Sequence, residues 1–213
     1  MYLNGSGATA AYLGAAKIWP SGTPQQQYTY VTRIWADDSY NILELGQTFP
    51  STSNGRVRLK AQVKAYTGEL WIGQDTRSAA GGGSGKARFF ATARNYLYYD
   101  FNQQRIRGNA RTFGSEPGNY MDVYLTNFSM YNAVTDVEYS GTPLTVTLVD
   151  KPIAVSPTQL YIYGVEVWND NGRKVGDYRP AMRNSDGLYG LHDVINDVFY
   201  TTTDYTIYGE TIT

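Results

Sequence analysis

The sequence predicts an all-β protein in which two antiparallel sheets pack as a sandwich. Many segments are rich in β-branched and aromatic residues and alternate between apolar and polar side chains, as half-buried strands do. Toward the C-terminal end, turn signals of Gly, Asn and Asp recur roughly every eight to twelve residues, a spacing typical of sandwiches. No stretch shows the 3.6-residue period of an amphipathic helix, and a single helical turn is expected near residues 191–194.

Composition excludes several classes of protein. The chain has 213 residues, enough for one large β domain, and its net charge of -1 predicts no nucleic-acid partner and no anionic membrane surface. It has no cysteine, which excludes disulfides and thiolate metal sites, and its single histidine disfavours metal sites and catalytic triads built on histidine. No run approaches the ~20 apolar residues of a membrane span, and the start of the sequence lacks the features of a secretory signal.

The clearest strand lies at residues 56–66. Val57, Leu59 and Ala61 lie on its apolar side, whereas Arg58 and Lys60 point the other way. The basic side is interpreted either as a solvated face or as a surface that meets an acidic partner. The other predicted strands, in chain order, are 30–35, 40–45, 70–73, 86–92, 96–101, 104–109, 121–125, 129–134, 137–139, 144–148, 160–168, 173–178, 188–191, 198–200 and 205–208, with a crossing loop at 151–159.

The segment from residue 160 to residue 201 carries a family resemblance. It contains a hairpin with the turn Asn169-Asp170-Asn171-Gly172, then the runs Gly-Asp-Tyr-Arg-Pro-Ala, Ser-Asp-Gly-Leu-Tyr-Gly-Leu-His-Asp and Asn-Asp-Val-Phe-Tyr-Thr. This order resembles the C-terminal part of concanavalin A-like, laminin-G-like jelly-roll domains, which are common in phage and prophage appendage proteins of gut bacteria. The resemblance implies a two-sheet antiparallel jelly roll and a binding role, mostly toward glycans. It implies no set of functional residues.

Residues 1–27 differ in composition from the rest and predict a separate N-terminal attachment segment. Two short strands are expected around residues 14–16, followed by a linker at 21–27. A hairpin of this size needs something to pack against, and its pattern resembles attachment segments of phage appendage proteins. The predicted attachment residues are Tyr12, Leu13, Ile18 and Trp19. The alternative is an edge hairpin folded onto the main domain, residues 28–213.

Aromatic and basic residues in the middle of the chain are the candidates for a ligand site. Carbohydrate sites combine an aromatic platform with planar polar groups, but large aromatics in alternating strands also fill the core. The candidate ligand-binding residues are Trp71, Tyr96, Tyr98, Tyr99, Arg105 and Arg107, with Trp35 as a further aromatic platform.

Catalytic and metal-binding patterns are weak. Asp136 and Glu138 lie beside a turn without a third acid, and Glu166 has no acidic neighbour two residues away, so no catalytic residue is predicted. The single histidine, His192, is interpreted as a hydrogen-bonded structural residue. Calcium stays an open alternative because several predicted loops carry Asp, but nothing in the sequence gathers them, and the prediction is no metal and no cofactor.

The family resemblance, the linker at residues 21–27 and the lack of a secretory signal together imply a phage virion appendage or decoration protein, and the weak catalytic patterns predict that it is non-enzymatic. Its N-terminal segment is expected to dock onto other virion proteins, and its lectin-like jelly roll is expected to bind host-surface or mucus glycans. The predicted location is the virion surface, after synthesis in the bacterial cytoplasm, and the predicted assembly is a homo-oligomer, a trimer by the habit of such appendages. The alternatives are a purely structural virion module and a glycan-active hydrolase.

Overall fold

A computed structural model describes residues 12–13, 16–17, 27–37, 42–66, 70–74, 86–143, 148 and 151–211, the first two pairs by their backbone only. Strands dominate these residues. The first ten are β1 (Tyr12–Leu13), β2 (Ala16–Lys17), β3 (Tyr28–Tyr30), β4 (Arg33–Trp35), β5 (Leu43–Thr48), β6 (Arg56–Val63), β7 (Leu70–Gln74), β8 (Ala87–Ala93), β9 (Tyr96–Phe101) and β10 (Gln104–Gly108). After the helical turn α1 (Ala110–Phe113) follow β11 (Tyr120–Leu125), β12 (Ser129–Asn132), β13 (Val137–Ser140), β14 (Pro152–Val155), β15 (Leu160–Trp168), β16 (Lys174–Arg183), β17 (Tyr189–Asp193), β18 (Val198–Tyr200) and β19 (Tyr208–Glu210).

Two antiparallel sheets pack face to face, which confirms the predicted all-β jelly-roll sandwich. The smaller sheet has the order β10-β9-β8-β7-β14-β5. The larger sheet runs β13-β12-β11-β6-β15-β16-β17-β18, and β3, β4 and β19 are attached beside β15 and β16. Apolar side chains from both sheets form one continuous buried cluster between them, including Leu59 and Val165 from the larger sheet and Phe89 and Ile153 from the smaller.

Strand β6 shows how the predicted alternation becomes a layer of the core. Val57, Leu59, Ala61 and Val63 are buried, whereas the residues between them remain partly accessible on the outer face. The strand pairs with β11 on one side and β15 on the other, so it lies in the middle of the larger sheet. It ends at Val63, a few residues before the predicted end.

The segment at 151–159 differs from the prediction of a crossing loop. Residues Pro152–Val155 form β14, which pairs with β5 and β7 inside the smaller sheet. The proline stands at the first position of the strand, where the missing N–H group is tolerated, and Ile153 and Val155 are fully buried. Four residues that begin with a proline show too little alternation to predict a strand. The strand is evident only from its pairing with β5 and β7 in the folded sheet.

The one described helical turn is also not where the sequence placed it. Residues 191–193 belong to β17, which pairs with β16 and β18. The turn is α1 instead: the Asn109 side chain accepts a hydrogen bond from the N–H of Thr112 at 3.0 Å, and Gly114 closes the turn with φ of 78°.

The C-terminal hairpin, β15 and β16, has the predicted turn and is tied to a distant loop. Gly172 has φ of 75°, and the Asn169 side chain accepts hydrogen bonds from the N–H groups of Asn171 and Arg173, both at 3.1 Å. The carboxylate of Asp170 accepts from the N–H and the hydroxyl of Ser51, each at 2.7 Å, so the turn is fastened to the segment before β6.

The N-terminal strands β1 and β2 pair with each other as a two-stranded unit, in the register Leu13 to Ala16. Within the described residues neither strand joins one of the two large sheets. The predicted attachment residues Ile18 and Trp19 lie outside the described residues, as do the side chains of Tyr12 and Leu13. The division at residue 28 stays a prediction. No helix in the described part of the chain is long and apolar enough to cross a membrane.

The buried position of Trp71 generates a prediction about stability. Its indole is fully buried and meets Phe89 edge-on at 5.3 Å between ring centroids. We expect Trp71→Ala to lower the free energy of unfolding by about 3–5 kcal/mol, because the substitution removes buried surface and leaves a cavity. Tyr96→Ala, at a side chain that is 41% exposed, is the control and is expected to cost about 1 kcal/mol or less. Urea titration measures both values, and near-equal losses would contradict this assignment of the core.

Candidate functional site

The structure places two of the predicted ligand-binding residues in the core. Trp71 and Tyr99 are both fully buried, and the Tyr99 hydroxyl donates a hydrogen bond to the carbonyl oxygen of Thr126 at 2.6 Å. Neither ring is accessible to a ligand, so the prediction is wrong for these two residues. Both lie in short, almost entirely apolar runs, where the alternation that separates inner from outer positions cannot be read.

The other four predicted ligand-binding residues come together on the outer face of the smaller sheet, at its β10 edge. Arg107 lies 4.5 Å from the ring centroid of Tyr96, and Arg105 lies 4.9 Å from that of Tyr98. The two tyrosine rings are nearly parallel, with 7° between their planes and 6.5 Å between centroids. Because Arg107 pairs with Tyr98 and Arg105 with Asp100 across the strands, each guanidinium reaches diagonally to its ring. We call Tyr96, Tyr98, Arg105 and Arg107 the Tyr–Arg ladder.

Asp100 anchors one end of this ladder. Its carboxylate is buried and accepts two hydrogen bonds from Arg105, at 2.7 and 2.8 Å, and Arg88 lies 3.6 Å away. The hydrogen bonds to Asp100 raise the pKa of Arg105 further above its already high value, against the effect of partial burial. Arg105 is therefore held in a two-pronged ion pair, and its charge is already balanced.

A second site, which the sequence did not indicate, lies on the outer face of the larger sheet. There β15 and β16 diverge: they pair from Val165 and Tyr178 onward, whereas the earlier part of β15 pairs with β4 and the later part of β16 pairs with β3. A bulge in β15 between Ile162 and Gly164 lies at the same place. Over this divergence opens a groove of about 310 Å³, which we call the sheet groove, lined by Lys60, Tyr163, Gly164, Val165, Glu166, Lys174, Asp177, Tyr178 and Arg179.

Ion pairs hold the polar side chains in and beside the sheet groove. Glu166 lies centrally, 3.4 Å from Lys60, 3.4 Å from Lys174 and 3.5 Å from Arg58. Lys174 also contacts Asp177 at 3.0 Å, and Arg179 reaches the same carboxylate at 3.1 Å. The carboxylates of Glu166 and Asp177 retain only 15% and 14% of their exposure, so the network is partly dehydrated and sterically fixed.

The network continues across β6 to β11. Arg58 donates two hydrogen bonds to Asp122, both at 2.7 Å, and these raise the pKa of Arg58 further although partial burial opposes the shift. The basic side of β6 therefore faces acidic residues of its own chain. Neither interpretation of that side from the sequence, a solvated face or a surface for an acidic partner, included these pairs within the chain.

Asp177 in the sheet groove is poorly suited to act as a general acid. Glu166 and Asp177 are direct cross-strand partners, so two carboxylates do face the same space. A hydrolase of glycosides needs one of them protonated near neutral pH, with its pKa raised. Burial acts in that direction on Asp177, but hydrogen bonds from Arg179 and Lys174 outweigh it and leave the pKa of Asp177 below its usual value.

Aromatic side chains line the sheet groove and also lie elsewhere on the larger sheet. Tyr163 lines it and meets Tyr120 edge-on at 5.3 Å. Trp168 lies under the guanidinium of Arg56 at 4.3 Å. The predicted platform Trp35 lies farther along the same sheet, stacked on Tyr208 at 5.8 Å.

His192 is hydrogen-bonded at both ring nitrogens. Its Nδ1 lies 2.8 Å from the Tyr30 hydroxyl and its Nε2 lies 3.0 Å from Asp197, while Tyr28 stacks on the ring at 4.1 Å. This environment agrees with a structural role. Within the described residues no group of three or more His, Asp or Glu side chains could hold a metal ion. Asp170 instead accepts hydrogen bonds from Ser51 in a distant loop, and Asp186 accepts one from the N–H of Leu188 in its own turn.

Comparisons with known proteins place the chain in no family. No family model matches the sequence, and no curated protein matches it. Among solved structures, the galectin LEC-6 of Caenorhabditis elegans matches with a TM-score of 0.41 and 8% sequence identity, over 68% of this chain and 99% of the galectin. A likeness of this size carries no functional argument, so the site is interpreted from its own geometry.

The depressed pKa of Asp177 generates a prediction about acid stability. A carboxylate with a lowered folded-state pKa stabilises the fold above its unfolded-state pKa of about 3.9, and this contribution is lost as the pH falls through the folded-state value. We therefore expect the free energy of unfolding to decrease less between pH 5 and pH 2 in Asp177→Asn than in the wild type.

At pH 7 the same variant should be less stable by about 1 kcal/mol, since its partners are partly exposed. The measurement is urea unfolding at each pH. Asp204→Asn, at an exposed loop position, is the matched control and should keep the wild-type slope. An unchanged slope in Asp177→Asn would show that this ion pair does not stabilise the fold.

Proposed function

We propose that this protein is a non-enzymatic carbohydrate-binding module that holds an uncharged glycan in the sheet groove. The observation that carries the proposal is the row of alternating donors and acceptors across β6, β15 and β16: Lys60, Glu166, Lys174, Asp177 and Arg179. A sugar hydroxyl both donates and accepts hydrogen bonds, so it fits between an ammonium or guanidinium group and a carboxylate. Because ion pairs already fix these groups, little side-chain entropy is lost on binding.

The pairing of charges in the sheet groove favours a neutral ligand. Each carboxylate in the network has at least one cation within 3.5 Å, and each cation has a carboxylate. A charged ligand would have to displace one of these partners, whereas hydroxyl groups can bind to the remaining lone pairs and N–H groups. Tyr163 adds a ring at the wall, suited to the apolar face of a sugar.

Arg179 offers the sharpest test of this proposal. Its side chain is 56% exposed, and its Nε and Nη2 atoms bind Asp177, so its Nη1 group keeps hydrogen-bonding capacity for a ligand. We expect the wild type to bind one or more neutral glycans on a printed array, and Arg179→Ala to weaken the best of them at least about tenfold, or about 1.4 kcal/mol.

The control is Arg173→Ala, an exposed arginine in the adjoining turn that lines no part of the sheet groove. It should bind with wild-type affinity, as measured by calorimetry. The proposal fails if the wild type binds no glycan, or if both arginine variants lose affinity equally. Thermal unfolding of each variant shows whether the fold is retained.

We further propose that the N-terminal segment attaches the module to a phage particle, so that the jelly roll is displayed at the virion surface toward host or mucus glycans. One observation supports an attachment role: β1 and β2 form a unit of their own, and within the described residues they add to neither large sheet. Under this proposal the segment contacts other virion proteins or sister copies in a trimer. A purely structural virion module would share this segment and would lack glycan binding.

Attachment can be tested on the full chain with the double variant Ile18→Ser, Trp19→Ser. We expect light scattering to give about three times the 23.8 kDa monomer mass for the wild type and a lower mass for the variant, because these apolar side chains are predicted to bury between copies. Mass spectrometry of purified virions should detect the protein. A monomeric wild type that is absent from virions would contradict the attachment proposal and leave the glycan proposal untouched.

A further inference from the structure

The charges of this protein are distributed unevenly. Residues 86–118 contain six Lys and Arg and two Asp and Glu, a net charge of +4, in a chain whose total is -1. The structure gathers this segment into three consecutive strands, β8, β9 and β10, and the helical turn α1. The excess of positive charge therefore lies at one end of the smaller sheet.

The Tyr–Arg ladder lies at this basic end, and its two arginines differ in what they already bind. Arg105 is held by Asp100 through two hydrogen bonds, as described above. Arg107 is exposed, and among the described residues no carboxylate lies within ion-pair distance of it. Its guanidinium is nevertheless positioned, because it stacks at 4.5 Å on Tyr96. Arg107 thus presents a whole fork of N–H donors in a defined orientation.

A second arginine without a carboxylate partner belongs to the same basic end of the smaller sheet. Arg111, in α1, is exposed and likewise has no carboxylate partner within the described part of the chain. Its backbone N–H donates to the carbonyl oxygen of Arg94 at 3.1 Å, which holds α1 beside the turn between β8 and β9. Arg94 itself pairs with Glu116 at 2.7 Å. Two arginines without a carboxylate partner among the described residues are therefore near the start of β9: Arg107 stacks on Tyr96, and the backbone of Arg111 is bonded to the turn that precedes β9.

We propose that the Tyr–Arg ladder is a second binding surface, which takes the sulfate or carboxylate group of an acidic polysaccharide through Arg107. A planar guanidinium binds either group with two parallel hydrogen bonds, and Tyr96 keeps it in place before the ligand arrives. The proposal rests on no part of the sheet groove, which lies on the opposite sheet and whose charged side chains are all paired.

The geometry favours a polysaccharide over nucleic acid. Binding to nucleic acid normally uses several phosphate contacts and aromatic faces open for base stacking. Here the guanidiniums of Arg107 and Arg105 cover the rings of Tyr96 and Tyr98, which leaves these faces closed to bases. Within residues 86–118, two arginines have no carboxylate partner among the described residues, which is few for contacts to several phosphates. An anionic membrane would likewise need a broader cluster of basic residues.

The test measures the affinity of the full chain for five probes: heparin as the sulfated chain, polygalacturonate as the carboxylated chain, dextran as the neutral chain, a single-stranded oligothymidine, and phosphatidylcholine vesicles with and without phosphatidylserine. We expect the wild type to bind heparin or polygalacturonate and not dextran through this surface. Affinity should fall with added salt. Arg107→Gln should weaken this binding at least about tenfold, and Arg107→Lys should recover only part of it because the charge is kept and the planar fork is lost.

Arg173→Gln removes the same charge from an exposed turn far from the ladder and is the matched control, expected to bind as the wild type does. Arg179→Ala should also retain binding to the acidic chain, which separates this surface from the sheet groove. The proposal is overturned if the wild type binds neither acidic polysaccharide, if the oligothymidine or the anionic vesicles bind more tightly than both, or if Arg107→Gln and Arg173→Gln weaken binding equally.

Discussion

The rest of this structure depends on the period of two in strand β6. Its inner side chains fill the centre of the core, and its outer side chains supply Arg58 and Lys60 to the surface. Because β6 pairs with β11 and β15 along most of its length, one register sets both layers. A shift of one residue would bury the charges and expose Val57, Leu59 and Val63, so packing of the core also determines which polar groups meet on the outer face.

The sheet groove arises from a departure from regular pairing. Where β15 and β16 separate, Ile34 from β4 takes over as the partner of Ile162, and β3 takes over beside β16. The bulge before Gly164 changes which residues point outward, so that both Tyr163 and Glu166 reach the surface. A perfectly paired sheet would present a flat surface at this place, whereas the divergence opens a space large enough for a sugar ring and lines it with fixed charges.

The two outer faces of the sandwich differ in how their charged side chains are paired. In the sheet groove each charged side chain has an opposite partner, and these ion pairs hold the side chains in place. At the basic edge of the smaller sheet Asp100 is shared by Arg88 and Arg105, which leaves Arg107 to be held by an aromatic ring. Paired charges suit hydroxyl groups, and an unpaired guanidinium suits an anion. The proposed division of ligands between the two faces follows from this difference.

The sequence by itself determined the fold class, most strand positions and the turns. Alternation in β6 and the residues that tolerate positive φ, such as Gly172, act over a few neighbours and are visible in any short window. It also indicated Tyr96, Tyr98, Arg105 and Arg107 as aromatic and basic residues of two consecutive strands, but it indicated the buried Trp71 and Tyr99 together with them.

Only the tertiary structure decided that Trp71 and Tyr99 face inward, that residues 152–155 fill a gap in a sheet, and that Lys60, Glu166 and Asp177 meet. Glu166 has no acidic neighbour along its own strand, and Asp177 reaches it only across the hairpin, while Lys60 comes from a strand more than 100 residues earlier. Contacts of this kind depend on strand order and register, which no local pattern of residues encodes.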